Sequence, residues 1–124
     1  VVSDHRPEDL EHHDVEFMLS PDGMATLPSA FSLALSGLKE STSDSKAAVE
    51  ALVAAMTQGP RNVLSLTPSH LEAGQKCDLT WFHPDMKHRS HGGTNGVNLP
   101  PLKEGQTGQV LGVFHADRSW IAQG

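Results

Sequence analysis

The sequence predicts an α+β fold: one main amphipathic helix at about 44–58 and a second, shorter helix, packed on a largely antiparallel sheet of roughly four to six short strands. Three observations predict it. Val49, Leu52, Val53 and Met56 recur at i, i+3, i+4 and i+7, which makes one apolar stripe along a helix. Residues 76–83 alternate, with Cys77, Leu79 and Trp81 on one side and Asp78 and Thr80 on the other. Residues 109–115 and 119–122 are apolar runs separated near Ala116-Asp117, the pattern of a final hairpin.

Taken in chain order, residues 1–13 are polar and acidic and carry Pro7, so they form an N-terminal arm. Its acids and three histidines could bind a metal, but a solvated leader is the simpler account of its composition. Residues 14–124 are then a single α+β domain. Val15, Phe17 and Leu19 alternate with Asp14 and Glu16, which predicts a half-buried strand over 14–19. Ser20-Pro21-Asp22-Gly23 reads as a turn, with Met24 to Leu27 returning as a short second strand. Residues 28–39 fit either periodicity, and their Ala and Leu content favours a helix with Pro28 in its first turn. Asp44 or Ser45 caps the main helix and Gly59-Pro60 stops it. Val63, Leu64 and Leu66 form a further short apolar run among strands and loops, and Thr67-Pro68-Ser69 could open one turn of helix. The Gly/Pro-rich loop at 84–108 is long enough to be either functional or disordered.

A chain of 124 residues can bury one core without disulfides. The formal net charge is −6, and residues 1–60 carry ten acids against three bases. That acidity argues against duplex nucleic acid as a partner, because phosphate contacts need clustered Lys and Arg. A lone cysteine, Cys77, excludes an internal disulfide framework. The chain has no apolar run of membrane-spanning length and no charged-then-apolar leader, so a soluble protein without signal peptide or transmembrane segment is expected. Val1 in place of Met suggests a processed chain or a part of a larger protein.

Chemistry concentrates between Cys77 and Gly93. His83, Asp85, His88 and His91 are ligand types that zinc or another divalent metal takes, and three of them with an open position would activate water. In a thiol mechanism Cys77 would attack, with His83 or His115 taking its proton and the Gly92-Gly93 amides stabilising the oxyanion. Lys87, Arg89, Gly92 and Gly93 could instead cradle an anion, the cations supplying charge and the glycines exposed amides. No His-Glu-x-x-His, Cys-x-x-Cys, Walker or Gly-x-Ser-x-Gly motif accompanies them. Ser43-Asp44-Ser45-Lys46 is better explained by helix capping than by the Ser-x-x-Lys motif. Leu99-Pro100-Pro101-Leu102 reads as a polyproline II segment.

Two functions follow. The first is a small binding or protein-interaction domain with a protein partner and the His/Gly-rich loop as its working surface. The alternative is a hydrolase using the Cys77–His91 segment, either metal-dependent or thiol-based.

Overall fold

Asp44 caps the main helix as the sequence predicts, its Oδ1 accepting from the amides of Lys46 and Ala47 at 3.0 Å each. In the computed structural model, which describes residues 1–67, 71–89 and 96–122, four α-helical segments precede the sheet. They are α1 (Leu10–His13), α2 (Ala30–Ser41), α3 (Ser45–Met56) and α4 (Gln58–Val63). The strands are β1 (Asp78–Lys87), β2 (Thr107–His115) and β3 (Arg118–Ile121).

Of the α3 stripe Leu52 is buried, Val49 and Val53 are half-buried and Met56 is exposed, while Ala48 beside them is buried. Gly59-Pro60 does not end this helix. The break falls at Thr57, whose hydroxyl donates to the Val53 carbonyl at 2.6 Å. Pro60 then lies in the first turn of α4, where its missing N–H costs no helical bond. The ambiguous stretch at 28–39 is helical: Leu27–Ser29 makes a 3-10 turn through Pro28 and α2 follows.

The sheet is antiparallel with order β1-β2-β3. Among the described residues it has three strands, fewer than the four to six expected. Residues 14–19 are a correction. They turn back on themselves, with the amides of Leu19 and Ser20 both donating to the Glu16 carbonyl at 2.8 and 3.1 Å, and Phe17 is 92% exposed. Alternation makes a strand only where a neighbouring strand can take its backbone bonds. The expected return strand at Met24 is reduced to one parallel bridge between His5 and Met24. The run at 63–66 ends a helix in a turn, and Ser65 adopts φ +52°. The expected turn at Thr67-Pro68-Ser69 falls largely outside the described residues. The final hairpin forms as predicted, with Ala116 at φ +52° in its turn.

Helix α2 lies on one face of the sheet. The Phe31 and Phe82 rings meet at 4.6 Å with a tilt of 57°. Gly108, at φ +100°, lets α2 approach: a Cβ there would stand 3.2 Å from Leu35 and 3.3 Å from both Phe31 and Ser32. Gly108→Ala is therefore expected to destabilise the protein by about 1–3 kcal/mol through strain and overpacking, read as a lower urea midpoint.

The opposite face of the sheet is apolar and open. Register puts Leu79 beside Phe114 and aligns Trp81, Gly112 and Ile121, yet Trp81 is 54% and Ile121 56% exposed. The buried apolar core is small: Ala25, Leu35, Ala48 and Leu52. The accessible surface is 9175 Å², against about 6,500 Å² for a compact monomer of this mass. Among the described residues no helix is long and apolar enough to cross a membrane.

Helix α1 is held by one carboxylate. Asp9 accepts from the His12 amide at 3.0 Å and from His12 Nδ1 at 2.7 Å. The backbone bond from His12 holds the Asp9 carboxyl below its ordinary value. The hydrogen bond to Asp9 raises His12 above the ordinary imidazole value. The Asp9 contribution is present above the ordinary carboxylate value and lost as pH falls through the lowered one. The His12 contribution is present below the ordinary imidazole value and lost as pH rises through the raised one. An NMR titration of the His12 ring should have its midpoint above that of a free imidazole, and Asp9→Asn should bring it back.

Candidate functional site

Residues 3–8 form a polar segment that two other segments grip. On one side, the Arg6 amide donates to the Met24 carbonyl at 3.0 Å, the Leu27 amide donates to His5 Nδ1 at 3.1 Å, and the Thr26 hydroxyl donates to the Ser3 carbonyl. On the other side, the Val97 amide donates to the Glu8 carbonyl at 2.9 Å. Asn98 joins both sides. Its Oδ1 accepts from the Glu8 amide at 2.9 Å, and its Nδ2 donates to the carbonyls of Arg6 at 2.9 Å and Gly23 at 3.2 Å. Its backbone carbonyl takes the Ala25 amide at 2.9 Å. Gly96 packs so closely that a Cβ there would stand 2.9 Å from Pro7.

At the head of this segment Asp4 adopts φ +44°. Aspartate is one of the few non-glycine side chains that visit positive φ readily, because its short polar group can bond locally, and the bonds on either side fix the backbone there. The Asp4 carboxylate is 76% exposed and lies 3.3 Å from Arg6 Nε. Because His5 Nδ1 accepts a backbone N–H, the neutral ring carries its proton on Nε2, as a donor. Carboxylate, imidazole and guanidinium thus stand consecutively on a backbone corner held from both sides.

The residues that the sequence singled out are placed as follows. His83 Nδ1 accepts from the amides of Asp85 and Met86 at 3.2 and 3.1 Å. Asp85 is paired with Lys39 Nζ at 2.9 Å, and this hydrogen-bonded ammonium holds its carboxyl below the ordinary value. The same ammonium reaches the Pro84 carbonyl and the Thr107 hydroxyl, so it ties α2 to both long strands. His88 is half-buried with Nε2 3.4 Å from the Ser29 hydroxyl. Lys87 ends β1 opposite Thr107, and the Arg89 amide donates to Gln109 Oε1 at 2.6 Å. His91, Gly92 and Gly93 lie outside the described residues. Cys77 is half-buried and its carbonyl takes the Ala116 amide. His115 Nδ1 lies 3.4 Å from Asp78 across the β1–β2 register, and Arg61 holds the other Asp78 oxygen at 3.1 Å. Among the described residues, no three His, Cys, Asp or Glu side chains form a group able to hold a metal.

The sequence reading set Asp4 and His5 aside with the rest of the polar arm and passed over Asn98. Residue type offers little signal for them. Asp4 and His5 read as part of a polar leader, and Asn98 as one more loop residue; only the bonds between distant segments single them out.

Three comparisons bear on what the chain is similar to. It is 33% identical over 90 residues to a dihydroorotase of Syntrophotalea carbinolica, covering 70% of this chain and 20% of that protein. It is 34% identical over 86 residues to a dihydroorotase of Pelotomaculum thermopropionicum, covering 69% and 19%. It is 31% identical over 84 residues to a dihydroorotase of Thermus aquaticus, covering 68% and 19%. The chain thus spans about a fifth of the length of the curated relatives it matches. No family model matches the chain. No solved structure matches it.

Proposed function

We propose that this chain is part of a hydrolase of the dihydroorotase kind, to which it contributes the Asp4–His5 corner. The observation that carries the reading is the similarity to several dihydroorotases over about two thirds of the chain. The doubly gripped corner, with Asp4 at φ +44°, supports it from the structural side. Hydrolysis of a ring amide joins a water oxygen to the carbonyl carbon, breaks the C–N bond and delivers a proton to the departing nitrogen. In this proposal the Asp4 carboxylate takes the proton from water and returns it to nitrogen. The His5 Nε2–H donates to an oxygen of the substrate.

The residues described do not build a metal centre by themselves. A divalent ion held by His83, Asp85, His88 and His91 is proposed on residue chemistry, with His91 outside the described residues. The Cys77 thiol mechanism gains no support from the contacts described.

The test is a chimera in which this chain replaces the matching stretch of the Syntrophotalea carbinolica dihydroorotase. The expected result is a folded protein that hydrolyses dihydroorotate. A folded chimera with no turnover would sink the proposal.

A second reading rests on the open apolar sheet face. The exposed Leu79, Trp81 and Ile121 favour a covering polypeptide, because contiguous apolar surface on a monomer marks an interaction site. Its proposed occupant is polypeptide equivalent to the four-fifths of the relatives' length that this chain does not span. This narrows the expected protein partner to an apolar surface on such a segment.

A further inference from the structure

We propose that Asn98 is the positioning residue of the Asp4–His5 corner, an inference that rests on the function proposed above. Residues 5–8 and 23–25 are far from Asn98 in sequence, and its one side chain bonds to both. It is 8% exposed, and its amide is fully used: one acceptor for the Glu8 amide and two donations, to Arg6 and Gly23. No other natural side chain of this size offers an acceptor and two donors on one planar group. The Gly23 carbonyl fixes residues 23–25 and the Arg6 carbonyl residues 5–8. The bridge therefore sets their separation, and that separation decides whether the Arg6 amide meets Met24 and the Leu27 amide meets His5.

The local packing agrees. Gly96 and Gly23 are points of close approach between the segments, a Cβ at either meeting Pro7 or Arg6 under 3.0 Å. With the backbones in that contact, a side chain replaced by one lacking either the acceptor or the donors leaves buried polar groups unpaired. The Asp4 backbone, at φ +44°, then loses the constraint that holds it.

The test uses two variants of the 124-residue chain, Asn98→Ala and Asn98→Asp, with amide exchange and imidazole ¹⁵N shifts read by NMR. Asn98→Asp keeps an acceptor for Glu8 and sets a carboxylate against the Arg6 and Gly23 carbonyls, so it isolates the donor side. In both variants the Arg6 amide should exchange about tenfold faster or more, because the bridge that seats it on the Met24 carbonyl is gone and local opening becomes easier. The Glu8 amide should follow only in Asn98→Ala. β2 amides should stay within about threefold of the parent. His5 Nδ1 should shift away from the value of a hydrogen-bonded acceptor. Unchanged Arg6 and His5 signals, or an equal loss of protection at every amide including β2, would overturn the assignment. In the chimera, Asn98→Asp should lower kcat on dihydroorotate by about tenfold with KM little changed, and an unchanged kcat also overturns it. Exchange and shifts are read without turnover, so an inactive parent chimera counts against the proposed function alone.

Discussion

Asp4→Asn in the dihydroorotase chimera is expected to lower kcat by about 100-fold or more, the usual scale for losing a positioned proton-transfer group. Asparagine keeps the size of the side chain and tolerates the same backbone region, so the φ of +44° at this position is not itself a reason for misfolding. What it removes is the ability to take a proton from water and hand it on. The check is steady-state kinetics of parent and variant, with circular dichroism to establish equal folding. Retention of near-parental kcat would remove Asp4 from the mechanism.

Leu35→Ala is expected to destabilise the chain by about 3 kcal/mol, within the range for burying a cavity in a core. Leu35 is fully buried between α2 and the sheet, where it meets the Gly108 backbone. Only three other apolar residues are comparably buried among those described, so little surrounds the cavity that could collapse into it. Small domains have only about 5–15 kcal/mol in total, and this one has a surface well above that of a compact monomer. Chemical denaturation of parent and variant measures the difference. Leu52→Ala, on the partner helix, serves as a comparison of the same kind.

These two changes act on different parts of the molecule, and the parts differ in how legible they were. The α3 helix was readable because its signals are local. Asp44 caps its own next turn, and the Val49–Met56 stripe repeats within one element. The hairpin of β2 and β3 was readable for the same reason, since its turn joins adjacent runs. The strand expected over 14–19 failed because pairing is not local: nothing in Val15, Phe17 or Leu19 states whether another strand stands beside them. The helix stop expected at Gly59-Pro60 moved to Thr57, because proline is also a good first-turn residue.

The candidate corner shows the same division. The sequence by itself determined the α+β class, the main helix with its cap, the final hairpin and the acidic balance, all carried by neighbours in the chain. Asp4, His5 and Asn98 come together as a candidate site only in the tertiary structure. Their bonds join positions up to 92 residues apart, and a hydrogen bond depends on where atoms lie in space, not on spacing along the chain. The exposed Trp81 and Ile121 follow the same logic. Alternation marks Trp81 as facing one side of a strand, the strand register sets Ile121 in line with it, and only the packed structure leaves that side open.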